Sequence, residues 1–280
     1  MIADASLERE LDRAATAISS ADALLIGAGA GMGVDSGLPD FRGDAGFWKA
    51  YPPFRGRAFA QMSTPHWFRT DPQLAWGFFG HRWNLYSSTP PHSGFEIVRR
   101  WGERARLGHF VFTSNVDGHF QRAGFAEERV LECHGSIQYL QCTDPCRMEI
   151  WPAGDLKIEV DPETIRTHSP LPACPRCGRL ARPNILMFND WDWLTRRCDE
   201  QLVRYHEWLD GAAGRQIVAL EFGAGLAIPT VRHECAAQAT TLIRVNPREP
   251  EIDSDECSDG ISLPLGALAA IRALDERLAN

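Results

Sequence analysis

Residues 23–33 read Ala23-Leu24-Leu25-Ile26-Gly27-Ala28-Gly29-Ala30-Gly31-Met32-Gly33. A short apolar run of buried-strand type ends abruptly in glycines. That is how a nucleotide-binding α/β unit opens, because glycine lets the backbone turn tightly and approach a phosphate. Upstream, Leu7, Leu11, Ala14, Ala15 and Ile18 share one helical face, which predicts a helix over residues 5–20. Downstream, four further segments read as strands: 109–113, 129–133, 217–222 and 240–245. They are near-continuous apolar runs, as in a parallel sheet covered on both faces. Small and polar residues follow each run: Ser114-Asn115-Val116-Asp117, His134-Gly135-Ser136, Gly223-Ala224-Gly225 and Asn246. Ligands of open α/β sheets bind at the carboxyl edge of the strands, and all five strands place their polar residues there.

The chain has 280 residues, a formal net charge of −8 and 44% hydrophobic residues. This composition is that of a globular protein and excludes extended disorder, coiled coil and collagen. The acidic balance argues against a general nucleic-acid binder, which needs a basic face. No apolar run approaches the roughly 18 residues of a membrane span. Met1-Ile2-Ala3-Asp4-Ala5 lacks a basic region followed by an apolar stretch, so the expected location is the cytoplasm.

Two stretches interrupt the α/β pattern. Residues 46–106 are rich in aromatics, with 65–86 helical in character and the rest loop-like. Residues 139–182 hold paired cysteines and several prolines with little periodicity. The expected organisation is a discontinuous Rossmann-like domain (1–50, 100–138 and 183–280), a helical insert (51–99) and a small metal-binding module (139–182). Of the eight cysteines, four are scattered. The others run Cys142-x3-Cys146 and, after 27 intervening residues, Cys174-x2-Cys177. Two tight pairs on separate turns can close a tetrahedral thiolate site around Zn2+, with no open position and hence a structural role. Unliganded thiols or redox pairs are the alternative.

His134 ends a strand and precedes Gly-Ser, where it could serve as a general base or be a capping or core histidine. Asn115 and Asp117 could orient a ribose hydroxyl, a water or an amide, or could cap the turn. The glycine loop lacks the Gly-x-Gly-x-x-Gly spacing, but Ser36-Gly37-Leu38-Pro39-Asp40-Phe41-Arg42-Gly43 follows it.

Together these residues resemble the sirtuins, the NAD-dependent protein deacylases, over roughly residues 20–275. The matching motifs are Gly29 to Arg42, Thr113-Ser114-Asn115-Val116-Asp117 with Ala123-Gly124, His134-Gly135-Ser136 with Cys142 behind it, Arg182-Pro183-Asn184 through Asp190, Gly223-Ala224-Gly225-Leu226 and Val245-Asn246. The resemblance implies a zinc-binding module and NAD lying across the sheet edge. It implies acyl transfer from an acyl-lysine protein or peptide to ADP-ribose, with release of nicotinamide. His134 would then be the base and Asn115 would position ribose or water. Asp40 and Asp117 would hold nicotinamide and the loop, Phe41 would shield the reacting centre, and Arg42 would approach the phosphates. Backbone N–H groups of Gly29, Ala30, Gly31, Gly223, Ala224 and Gly225 would face pyrophosphate and ribose, with Ser114 and Asn246 beside them. Phe188 and Asn189 would pair with the peptide, and Phe79 and Arg82 would meet the acyl end, where Arg82 could pair with a carboxylate.

The chain departs from the family at Gly33 (usually Ser), Ser114 (Gln), Ala224-Gly225 (Thr-Ser), His119-Phe120 (Leu-His) and Asn189 (Gly). These changes motivate an alternative activity, ADP-ribosyl transfer or NAD hydrolysis. A non-catalytic NAD-binding module is a third reading.

Overall fold

A computed structural model describes residues 2–39, 47, 49 and 51–279 of the chain. Helix α1 (Ile2–Ser20) buries Leu11, Ala14, Ala15 and Ile18, the stripe its periodicity marks out. Strand β1 (Ala23–Ala28) follows, every residue of it buried. It runs parallel to β2 (His109–Thr113) on one side and β9 (Ile217–Phe222) on the other. β3 (Val130–Glu132) extends the sheet beyond β2, and β10 (Thr241–Val245) and β11 (Gly260–Leu263) extend it beyond β9. The result is a parallel sheet of six strands in the order β11-β10-β9-β1-β2-β3. The chain moves from β1 to β2 and β3, then returns to β9 on the far side of β1. The topological switch point therefore lies between the carboxyl ends of β1 and β9, where such sheets bind ligands.

Alternate side chains point to opposite faces of a strand. Leu24 and Ile26 of β1 face one core with Leu11, Phe95, Trp101 and Ile271. Ala23 and Leu25 face another with Tyr205, Trp208, Val231 and Cys235. The helices that carry these partners are α1, α3 (Gly94–Arg104), α4 (Arg196–Gly211), α5 (Thr230–Gln238) and α6 (Ala267–Leu278). A third core joins the aromatic stretch to the cysteine-bearing segment. Phe47, Tyr51, Phe54, Trp76, Phe78 and Phe79 pack with Ile137, Leu140, Ile158, Ile165 and Ile185. Its framework is helix α2 (Pro72–Ser88), a sheet of β4 (Gly135–Cys142), β5 (Ile150–Pro152) and β8 (Ala181–Ile185), and the ribbon of β6 (Val160–Asp161) and β7 (Arg166–Thr167).

Three expectations need correction. Gly260–Leu263 is a sixth strand; this four-residue run is half-buried and carries little apolar signal. The helix expected over 65–86 is two, His66–Thr70 and Pro72–Ser88. The break falls at Asp71, whose carboxylate accepts the Leu74 N–H at 3.3 Å while Pro72 takes the first helical position. Residues 94–104, expected as loop, form α3, which buries Phe95, Val98 and Trp101 against the sheet. No described helix is long and apolar enough to cross a membrane.

Candidate active site

The glycine loop and the loop after β9 are in backbone contact. Gly29 N–H donates to the Phe222 carbonyl (2.9 Å) and Gly31 N–H to the Gly223 carbonyl (3.1 Å). A Cβ on Gly31 would lie 2.7 Å from the Gly223 Cα, and one on Gly223, at φ +56°, would lie 2.4 Å from the Gly31 Cα. Only glycine permits this approach. Residues Ala30–Ser36 then form a 3-10 turn that Gly37 closes in the left-handed conformation. This changes the expected donor set. The amides of Gly29, Gly31 and Gly223 are paired inside the protein, the last with the Val245 carbonyl (2.9 Å). Among the described residues, the amides of Ala30, Ala224 and Gly225 have no protein acceptor. Those three are donors a ligand could use.

The next strand end closes the site. Thr113 Oγ1 donates to the Ala28 carbonyl (2.9 Å) and accepts the Asn115 N–H (3.0 Å). Asn115 Nδ2 donates to the Gly29 carbonyl (2.9 Å), so this side chain ties β2 to the glycine loop. Ser114 N–H also donates to the Ala28 carbonyl (3.2 Å). Buried Asp117 accepts the His119 N–H (2.8 Å), which is cap chemistry for the short helix His119–Arg122. His134 follows β3, and burial pushes its imidazole below the ordinary histidine value, opposed by a hydrogen bond to the Ser114 carbonyl. Gly135, at φ +75°, is required next to it, since a Cβ there would lie 2.1 Å from the Asn184 carbonyl oxygen.

The sulfurs of Cys142, Cys146, Cys174 and Cys177 all lie within 4.8 Å of one another. The Cys142–Cys177 separation is 3.8 Å and Cys146–Cys174 is 3.7 Å. Four sulfurs around one zinc at ~2.3 Å sit ~3.8 Å apart, so the quartet fits a tetrahedral thiolate site.

A model of the Sir2 family matches residues 29–204, more than half of the chain. The chain belongs to the Sir2 family. The NAD-dependent protein deacylase of Aquifex aeolicus is 30% identical over 227 residues, covering 80% of this chain and 83% of that protein. The enzyme of the same description from Aeropyrum pernix is 32% identical over 226 residues, covering 78% of each chain. Among solved structures, a Sir2 homologue in complex with NAD aligns at TM-score 0.70, with 23% identity, covering 95% of this chain and 93% of that one.

In this Sir2 fold, Asp40, Phe41 and Arg42 lie outside the described residues. The substrate-side residues are only partly as expected. Phe188 packs edge-on to Phe59 (6.2 Å) and donates its N–H to the Ser63 carbonyl (2.9 Å), so that amide is not open to a peptide. Asn189 is exposed at φ +55°, a conformation that Asn tolerates better than most residues. Arg82 is buried, donates to Tyr86 Oη from Nε (3.1 Å) and Nη2 (2.9 Å), and lies against the rings of Phe59, Phe78, Phe79 and Tyr86.

Around Asn246, which the sequence places beside the cofactor, stand supporting residues that sequence reasoning misses. Asn246, expected beside the cofactor, is buried and donates from Nδ2 to the Ala224 carbonyl (2.9 Å). Arg232 donates from Nε to the same carbonyl (3.2 Å). Beneath them Arg244 and Glu221 form a fully buried pair at 2.8 Å. Their one legible signal is a single charge inside each of two apolar strands, at positions that prove to be neighbours in register. His92 accepts the Gly94 N–H on Nδ1 (3.0 Å) and holds the Met32 carbonyl with Nε2 (3.0 Å), while its own N–H meets Ser36 Oγ (2.9 Å). It clips the glycine loop to the start of α3.

Proposed function

We propose that this Sir2 chain is an NAD-dependent protein-lysine deacylase, moving the acyl group of an acylated lysine to ADP-ribose with release of nicotinamide. The observation that carries the reading is His134. It is a largely buried imidazole that burial holds neutral, near the Ser114 carbonyl at the strand edge shared with the glycine loop.

The cradle between Gly31 and Gly223 leaves no room for side chains and suits a close backbone approach to pyrophosphate. The Ala30 and Gly225 amides would donate to phosphate or ribose oxygens. Asn115 would keep the Gly29 carbonyl turned inward and the ribose side of the cleft in register. Bound NAD supplies a ribose carbon activated by its nicotinamide leaving group. His134 takes a proton from a ribose hydroxyl on its free nitrogen, and its burial keeps that nitrogen unprotonated at neutral pH. By the resemblance, Asp40 would help hold nicotinamide, Phe41 would shield the reacting centre and Arg42 would approach the phosphates. The cysteine quartet would hold a structural zinc that takes no part in the chemistry.

An acylated protein or peptide is the partner, with Phe188 and Asn189 on its path. Arg82, packed among rings and hydrogen-bonded to Tyr86, favours an acetyl-type group over a dedicated acid-acyl preference. Eight thiols without a disulfide accord with a reducing cytoplasm, and the −8 charge with the absence of a nucleic-acid partner.

Nicotinamide release with acetyl-, long-acyl- and succinyl-lysine peptides tests the reading. Release should depend on the peptide, be fastest with acetyl or neutral acyl groups, and fall by at least about 100-fold in His134→Ala. Release independent of peptide would support NAD hydrolysis instead, and no release with any peptide would refute both.

A further inference from the structure

The loop Gly223-Ala224-Gly225 offers a nucleotide no side-chain donor. Whatever it contributes must come from backbone N–H groups, and these donate well only if the loop is rigid. The Ala224 carbonyl is held from the protein interior by two side chains, Asn246 Nδ2 at 2.9 Å and Arg232 Nε at 3.2 Å. A trans peptide unit points its C=O and the following N–H in opposite directions. Turning the Ala224 carbonyl inward therefore turns the Gly225 N–H outward, toward the switch-point cleft.

Arg232 is itself fixed. Its side chain is 5% exposed, lies 3.9 Å from buried Glu221 and donates from Nη2 to the Glu249 carbonyl. The Glu249 carboxylate, 3.7 Å from Arg232, accepts the Leu226 N–H (3.3 Å) at the far end of the loop. The loop is thus tied at two of its peptide units by one ionic cluster. A buried guanidinium is expensive to desolvate, and Glu221 already has Arg244 as its partner. Arg244 is shared between Glu221 and Glu256, so the Arg232 charge also serves this cluster, while its Nε donates to the Ala224 carbonyl.

We propose that Arg232 is a positioning residue for NAD: by locking the Ala224 carbonyl inward it presents the Gly225 N–H to the cofactor, replacing with rigidity the donors that Ala224 and Gly225 lack. This deepens the deacylase reading and rests on it for the identity of the ligand. Preorganisation of this kind acts on affinity for NAD and leaves affinity for the acyl-peptide untouched.

The test is NAD binding by titration calorimetry on the intact chain, with steady-state kinetics alongside, for wild type, Arg232→Met and Arg232→Lys. Lys keeps the charge beside Glu221 but has no Nε–H, so it carries the test if Arg232→Met fails to fold. Both variants should weaken NAD binding about five- to tenfold, the size of one lost hydrogen bond. The KM for NAD should rise in step, with kcat at saturating NAD and the KM for peptide within about twofold of wild type. Wild-type NAD affinity in either folded variant overturns the proposal, as does a fall in kcat with NAD affinity unchanged. If the wild-type chain binds NAD without deacylating any peptide, the deacylase reading fails, and the binding data still decide the role of Arg232.

Discussion

His134 is the residue on which the proposed chemistry turns, and its protonation is set by its surroundings. Burial disfavours the imidazolium more than the Ser114 carbonyl favours it, so the folded group titrates below the ordinary value of ~6.5. The base form is thus the populated one at neutral pH. The kcat/KM for NAD should be flat through pH 7 and fall only on acidification past ~6.5; an acid limb centred at or above pH 7 would contradict this. A second prediction concerns Gly31. Its substitution by Ala drives a Cβ into the Gly223 backbone at 2.7 Å, so NAD binding should be lost and stability should fall by about 1–3 kcal/mol, read by calorimetry and chemical denaturation. Both residues were legible in the sequence because their role is local: a glycine where backbone must touch backbone, a histidine at a strand end. Arg232 and His92 were not legible, because what they do depends on carbonyls that folding brings to them from eight and sixty residues away.

Strand β4 links the two halves of the site at the scale of elements. It begins at Gly135, next to His134, and ends at Cys142, a ligand of the proposed zinc. It pairs along its length with β8, which leads into the substrate-side segment 186–190. Loss of the metal should therefore act on catalysis through β4, although a zinc held by four thiolates would have no open coordination position. Chelation should remove one zinc per chain, lower the melting temperature and reduce kcat. NAD binding at the β1–β9 edge should survive better than turnover, and a chelated protein with wild-type stability and kcat would contradict this. Buried strands were readable as apolar runs, and the cysteine spacing marked the module. The break at Asp71 was missed because the apolar pattern continues across it, while an Asp-Pro pair stops one helix and starts the next. α3 was missed because two glycines and the preceding prolines mask its Phe95-Val98-Trp101 stripe.

In the whole molecule, a parallel sheet with a core on each face meets a smaller unit whose third core merges the aromatic stretch with the cysteine-bearing segment. That merger could not be read along the chain, since contacts such as Trp76 Nε1 to the Ala181 carbonyl (2.9 Å) join residues about a hundred positions apart. The class of fold was readable, because polar residues following apolar strands mark one edge of a sheet whatever the strand order. Packing around that edge places the glycine loop, His134 and the segment 186–190 together. The central claim is that NAD cleavage is coupled to removal of an acyl group from lysine. Mass spectrometry of the products formed from NAD and a mixed acyl-lysine peptide library, with and without the peptides, tests it most directly. The expected result is deacylated peptide, nicotinamide and acyl-ADP-ribose in equal amounts, and none of them without peptide. Free ADP-ribose in the absence of peptide, or ADP-ribose attached to protein, would contradict it.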